Sequence, residues 1–126
     1  MLFAYSIRNH SVGYCQGMNY IGGHILKHIG EEEDAFWLLA KIIEDYMPGY
    51  FTADMVESQV DQLVFKALVN ECLPAVGSHF EQVGVHVPCV TSRWFICLYV
   101  GCVPPDTLNL VWDGIIQNGT IFMMQV

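Results

Sequence analysis

The 126-residue sequence predicts an all-α fold, an incomplete helical array, and three observations carry that expectation. Apolar residues recur at three- and four-residue spacing along nearly the whole chain, the period of one helix face. No apolar–polar alternation, the mark of a half-buried strand, lasts more than a few positions. Hydrophobic residues make up 53% and charged residues only 14%, against about 25% charged in ordinary soluble domains. Such a chain has ample core material and little that looks able to face water.

Taken in order, Leu2-Phe3-Ala4-Tyr5 opens a first helix with no capping residue ahead of it, and this helix should end near Asn9. Ser11-Val12-Gly13 reads as a loop. A second helix is expected from about Gly17 to His28, closed by Gly30, with Gly22-Gly23 inside it at a cost of about 1 kcal/mol each relative to alanine. Interior glycines of this kind suit close approach between helices. The acidic run Glu31 to Asp34 fits the N-terminus of a third helix, where the dipole favours negative charge. Its stripe Phe36, Leu39, Ala40, Ile43, Met47 and a second line through Ala35, Leu38 and Ile42 predict burial on two sides, until Pro48-Gly49 stops it.

A fourth helix is expected over about Ala53 to Cys72, with Val56, Val60, Leu63, Val64, Ala67 and Leu68 as its buried face. A fifth fits Ala75 to Gln82, closed by Gly84, and Val85 to Pro88 reads as extended. A sixth fits Thr91 to about Gly101. The seventh starts at Pro104-Pro105-Asp106, where proline in the first turn is tolerated, and buries Leu108, Val111, Trp112, Ile115 and Ile116 before Asn118-Gly119 caps it. Thr120 to Val126 looks like the opening of an eighth helix. The expectation is one partial domain over residues 1–126, cut from a larger one at both ends.

Several function classes are excluded. A membrane-spanning helix needs about 20 apolar residues. The longest candidate, Trp94 to Pro105, is 12 residues long and ends in two prolines. Met1 to Ile7 is too short for a secretory signal and runs into Arg8-Asn9-His10. The formal net charge is −8, and eleven of the thirteen acids fall between Glu31 and Glu81. No basic footprint exists for nucleic acid. The acidic middle is either a solvated face or a surface for a basic partner. The five cysteines include no C-x-x-C pair and match neither zinc nor disulfide-scaffold spacing. They read as reduced, mostly core thiols of a cytoplasmic protein.

Phosphate-loop, dinucleotide, nucleophile-elbow and zinc-protease signatures are all missing. His24 and His28 share one helix face, but two histidines lack the further ligands a metal needs, so no metal is expected. They fit better on an exposed face near a helix C-terminus. His10 and Cys15 could form a base and thiol pair, yet nothing in sequence supplies a third, orienting group. The unusual stretch is Gly13-Tyr14-Cys15-Gln16-Gly17-Met18-Asn19. It places an amide, able both to donate and to accept, between glycines at a loop-to-helix junction. Gln16 could hold a water against a phosphate oxygen, or it could merely satisfy buried backbone groups of a capping loop.

That stretch resembles the glutamine-finger motif of TBC domains, the GTPase-activating domains for Rab-family small GTPases. A second block downstream, Ser92-Arg93-Trp94-Phe95, then Pro104, then Val111-Trp112-Asp113, is similar to the family's S-[RK]-W-F … P … [IV]-W-D pattern. Ala4-Tyr5-Ser6-Ile7-Arg8-Asn9 resembles the helix leading into the finger, so the likeness spans the chain.

The resemblance implies a role in vesicle trafficking and intracellular protein transport. Gln16 would orient the attacking water on a Rab-family GTPase, with Tyr14, Gly17 and Asn19 supporting the loop. Arg93, Trp94 and Asp113 would be structural, with Arg93 pairing to Asp113. No cofactor is expected of this chain, since GTP and magnesium belong to the partner. The protein would be cytoplasmic, reaching endomembranes peripherally through its partner or flanking domains. The family's I-x-x-D-x-x-R element, which carries an arginine finger, lies N-terminal to the glutamine motif and is not in this sequence. An arginine finger is worth about 10³ to 10⁵ in rate, so the chain is expected to be no enzyme, and nearly inactive, alone. His10 stands where the family commonly has proline, and Asn109 where a basic residue often precedes V-W-D. The alternative implied by a TBC fold is a non-catalytic Rab-binding or scaffold module; an unrelated all-helical enzyme is a more distant reading.

Overall fold

Local chemistry starts and stops most of the helices in the computed structural model, which describes residues 1–126. Helix α1 (Leu2–Arg8) ends at Asn9, and α2 (Met18–His28) is entered from Gly17, whose φ of 117° only glycine adopts with ease. Helix α3 (Glu32–Lys41) carries Glu32, Glu33 and Asp34 in its first turn. It continues into a π-helical turn, Ile42–Tyr46, closed by the Met47 N–H donating to the Ile42 carbonyl at 2.9 Å. Then come α4 (Val56–Cys72), α5 (Pro74–Gln82), α6 (Val87–Ile96), α7 (Pro105–Asn118) and a 3₁₀ helix, Thr120–Gln125. There is no strand.

One hydrophobic core runs through α1, α2, α3, the turns after α6, and α7. Tyr5, Met18, Ile21, Leu39, Phe95 and Met123 are fully buried in it. The expected stripes of α3 hold for the most part: Ala35, Leu39, Ala40, Ile42, Ile43 and Met47 are buried, while Phe36 and Leu38 are only half-buried. The π turn helps here, because its extra residue lets Ile42, Ile43 and Met47 all reach the core while Glu44 points back toward α1. Gly22 admits α1, since a Cβ there would come within 2.6 Å of the Met1 side chain. Its neighbour Gly23 faces open space and serves no such approach.

Several expectations need correction. Helix α4 begins at Val56, after a turn in which Met55 takes a left-handed φ of 47°. Its expected apolar face is turned outward, with Val56, Val60, Leu63, Val64 and Ala67 exposed. The inward face is instead Ser58, Asp61, Phe65 and Val69. Two contacts set that rotation. Asp61 accepts from the Tyr50 hydroxyl, and Phe65 packs edge-on against Trp94 and Phe95 at ring separations of 6.2 and 5.5 Å. Aromatic packing and a partly buried hydrogen bond outweigh the more numerous valines.

Helix α6 starts at Val87, within the stretch expected to be extended, because Pro88 falls in its first turn where the missing N–H costs nothing. It stops at Ile96 instead of near Gly101. Leu98 and Tyr99 follow at φ of 46° and 62°, rare for non-glycine residues. Burial compensates: both are nearly inaccessible, the Tyr99 hydroxyl donates to the Met123 carbonyl at 2.6 Å, and the Trp112 indole donates to the Leu98 carbonyl at 3.0 Å. In α7, Leu108, Val111, Trp112 and Ile115 are buried as expected, but Ile116 is exposed. The last segment is 3₁₀ rather than α, placing the Phe122 ring where any side chain on Gly114 would stand. The cysteines are not mostly core thiols as expected: all five are free, Cys72 and Cys89 are exposed, and only Cys97 is buried.

Candidate functional site

The junction between α1 and α2 is built outward from Asn9. Its backbone carbonyl accepts from the Gly13 N–H at 2.8 Å, and its side-chain oxygen accepts from the Ser11 hydroxyl (2.7 Å) and the Val12 N–H (3.3 Å). This folds residues 9–13 into a turn that delivers Tyr14-Cys15-Gln16 to the surface. A second turn closes with the Met18 N–H donating to the Cys15 carbonyl at 3.2 Å. The Cys15 N–H meets the Met18 sulfur, itself fully buried, at 3.4 Å. Asn19 accepts from the Gly17 N–H at 3.2 Å, one of the donors a helix start leaves unpaired.

Gly17 is held by packing as well as by φ. A Cβ at this position would lie 2.4 Å from the Ile96 Cγ2 atom and 3.3 Å from the Ile96 carbonyl oxygen. The backbone of the junction therefore rests directly on the end of α6. Gly13, by contrast, has φ of 66° with nothing within 4 Å of its missing side chain. Gln16 is exposed, and the loop's own hydrogen bonds leave its amide unused. The capping-loop alternative, in which Gln16 satisfies buried backbone groups, does not describe this geometry. Tyr14 beside it is 56% exposed.

Gln16 borders an open depression of about 430 Å³, lined also by Cys15, Gly17, Tyr20, Met55, Ser92, Arg93, Ile96 and Cys97. Two parts of the sequence that are far apart, the stretch around Gln16 and the Ser92–Ile96 block, thus share one surface. No carboxylate lines it, although the chain has thirteen acids. Arg93 lies over the Tyr20 ring at 5.4 Å and against the turn at Gly101. The expected Arg93–Asp113 pair is not formed; the ion pairs are Met1–Glu32, Arg8–Glu44 and Lys41–Asp45. Helix geometry separates the two, since Arg93 is drawn to Tyr20 while Asp113 lines a different cavity with His24, His28 and Asn109. Trp94 is half-buried and stacks near Tyr99, with ring centres 6.1 Å apart.

Cys15 is no activated nucleophile, because burial pushes its thiol up from the ordinary value. His24 is not on an exposed face as expected: it is half-buried, 4.4 Å from both the Trp112 and His28 rings, and burial lowers its pKa. No group of three or more histidine, cysteine or acidic side chains stands close enough to hold a metal ion. No helix is long and apolar enough to cross a membrane.

One participant escaped sequence reasoning. Glu44, in the π turn, receives Asn9 Nδ2 at 3.1 Å, the Tyr5 hydroxyl at 3.3 Å and the Arg8 guanidinium, all on the same carboxylate oxygen. The guanidinium holds the Glu44 carboxyl below its usual range, and burial beside that carboxylate pushes Tyr5 up to about 12. Helical periodicity marks Glu44 only as a polar position, so nothing local signals this role.

An all-helical array that presents an unpaired surface amide on a glycine-braced turn, against the Ser92–Ile96 helix, defines the class of scaffold. The Rab-GTPase-TBC domain model matches residues 1–126 in full. Human growth hormone-regulated TBC protein 1 is 40% identical over 126 residues, covering 100% of this chain and 38% of that protein. TBC1 domain family member 2B of Xenopus tropicalis is 44% identical over 121 residues, covering 95% of this chain and 13% of that protein. The solved Chlamydomonas flagellar RabGAP TBC domain superposes with a TM-score of 0.86 at 30% identity, covering 98% of this chain and 41% of that one. The chain belongs to the Rab-GTPase-TBC domain family, and it spans less than half the length of these relatives.

Proposed function

We propose that this chain is the glutamine-bearing part of a GTPase-activating protein for a Rab-family small GTPase. The observation that carries the reading is the exposed Gln16 amide, free of bonds within its loop, on a backbone fixed by Gly17 against Ile96. Phosphoryl transfer to water asks the protein mainly for positioning and for charge stabilisation. A neutral amide suits the first task. Its carbonyl accepts from the attacking water while its NH₂ donates to an oxygen of the transferring phosphoryl group. Gln16 thus orients the nucleophile, while GTP and magnesium remain the partner's. The positive charge comes from an arginine in an upstream I-x-x-D-x-x-R segment, so residues 1–126 alone activate little. A rigid turn lowers the ordering cost of bringing that amide to the water.

The test is single-turnover GTP hydrolysis across a Rab panel with the chain extended upstream, beside its Gln16→Ala variant. Loss of about 10²-fold or more in activation, with the fold unchanged, is expected. Equal activation by both proteins would refute the finger. Binding without activation by either would favour a scaffold module instead.

A further inference from the structure

The finger turn depends on which way the Asn9 amide faces, and one residue decides that. The amide oxygen meets two donors, the Ser11 hydroxyl and the Val12 N–H. Its NH₂ group meets the Glu44 carboxylate at 3.1 Å and the Tyr5 hydroxyl oxygen at 3.2 Å. A carboxylate accepts and never donates. It therefore forbids the flipped amide, which would set carbonyl against carboxylate and NH₂ against N–H. Glu44 is in turn held by the Arg8 and Tyr5 donors, and it can reach them because the π turn interrupts α3 at Ile42–Tyr46. Single π turns within helices are frequent at functional sites.

We propose that Glu44 is the positioning residue of the finger: it locks the Asn9 amide, and through Asn9 it sets the turn that aims Gln16. The proposal rests on the finger reading for its consequence in catalysis but not for its structural half. Glu44 touches neither water nor phosphate. Its contribution is to keep residues 9–13 in one conformation, so that Gln16 is preorganised when the GTPase docks.

The experiment exchanges donor for acceptor. In the upstream-extended protein, Glu44→Ala removes the acceptor, and Asn9→Asp sets two carboxylates against each other. The double variant Asn9→Asp/Glu44→Gln reverses the bond, with the new amide donating to the new carboxylate, which still accepts from Ser11 and Val12. Amide hydrogen exchange at Val12 and Gly13 reads the turn, and the kcat and KM for activated hydrolysis read the finger. Each single variant should speed exchange and lower kcat by about tenfold, the scale of one lost charge-assisted hydrogen bond, with KM for the GTPase nearly unchanged. The double variant should restore both in part, since the new amide's NH₂, in the place of the shared oxygen, donates to the new carboxylate but no longer accepts from Arg8. Unchanged exchange in Glu44→Ala, or a double variant no better than Asn9→Asp alone, would overturn the proposal. Because the double variant is nearly isosteric, it decides the matter even if Glu44→Ala folds poorly. Failure of the finger reading looks different: Gln16→Ala then keeps full activation while Glu44→Ala still loosens the turn.

Discussion

Replacing Gly17 by alanine isolates what fixes the Gln16 turn to the rest of the fold. Two costs add. A non-glycine residue at φ of 117° carries strain of about 1–3 kcal/mol. The new Cβ would also meet Ile96 Cγ2 at 2.4 Å and its carbonyl at 3.3 Å, and overpacking of this kind costs about 1–3 kcal/mol. The side chain of Ile96 can yield only a little, being β-branched and stiff at χ1, and its carbonyl belongs to the end of α6. The total is about 2–6 kcal/mol, a large share of the 5–15 kcal/mol typical of a domain. Thermal unfolding by circular dichroism should therefore show a midpoint lower by roughly 10 °C or more. Gly13→Ala is the control, because its φ of 66° brings strain but nothing lies within 4 Å to clash. It should lose only about 1–2 kcal/mol. Adding Ile96→Ala to Gly17→Ala removes the clashing methyl, and the two changes should couple favourably by about 1–2 kcal/mol. Equal losses at both glycines, with no coupling to Ile96, would refute the packing of the Gln16 turn on α6.

Further outcomes follow from the same geometry. Trp112→Phe leaves the buried Leu98 carbonyl without its 3.0 Å donor and opens space in the core, so denaturant unfolding should reveal a loss of about 2–4 kcal/mol. Tyr5 and Tyr99 are pushed up to about 12, chiefly by burial, and Tyr50 is raised as well by burial and Asp61. The stability contribution of Tyr5 and Tyr99 is complete below the ordinary value of 10.0 and is lost as pH rises from there through about 12. Tyrosinate absorbance from these three residues should thus appear late, together with unfolding. Titration of all six tyrosines near the ordinary value, with the fold intact, would contradict this burial pattern. Gln16→Ala should leave the unfolding midpoint unchanged, since its exposed amide is unused by the loop; a large drop would mean that Gln16 is structural.

Local chemistry determined a good deal here. Pro48-Gly49 and Asn118-Gly119 ended their helices as read, the acidic run began α3, and Gly17 marked the entry to α2. The stretch around Gln16 was legible for the same reason: glycine, amide and helix start are adjacent, so their relation survives without a fold. What tertiary structure alone decided lies in contacts between residues far apart in the chain. The rotation of α4 was set by Tyr50–Asp61 and by Phe65 against Trp94 and Phe95, not by its own valines. Leu98 and Tyr99 accept left-handed backbone because Trp112 and Met123, 14 and 24 residues onward, bond to them. Glu44 meets Asn9 across 35 residues and Tyr5 across 39. Helical period reports which face is apolar, but the identity of the partner on that face depends on chain closure over tens of residues, and no local pattern encodes it.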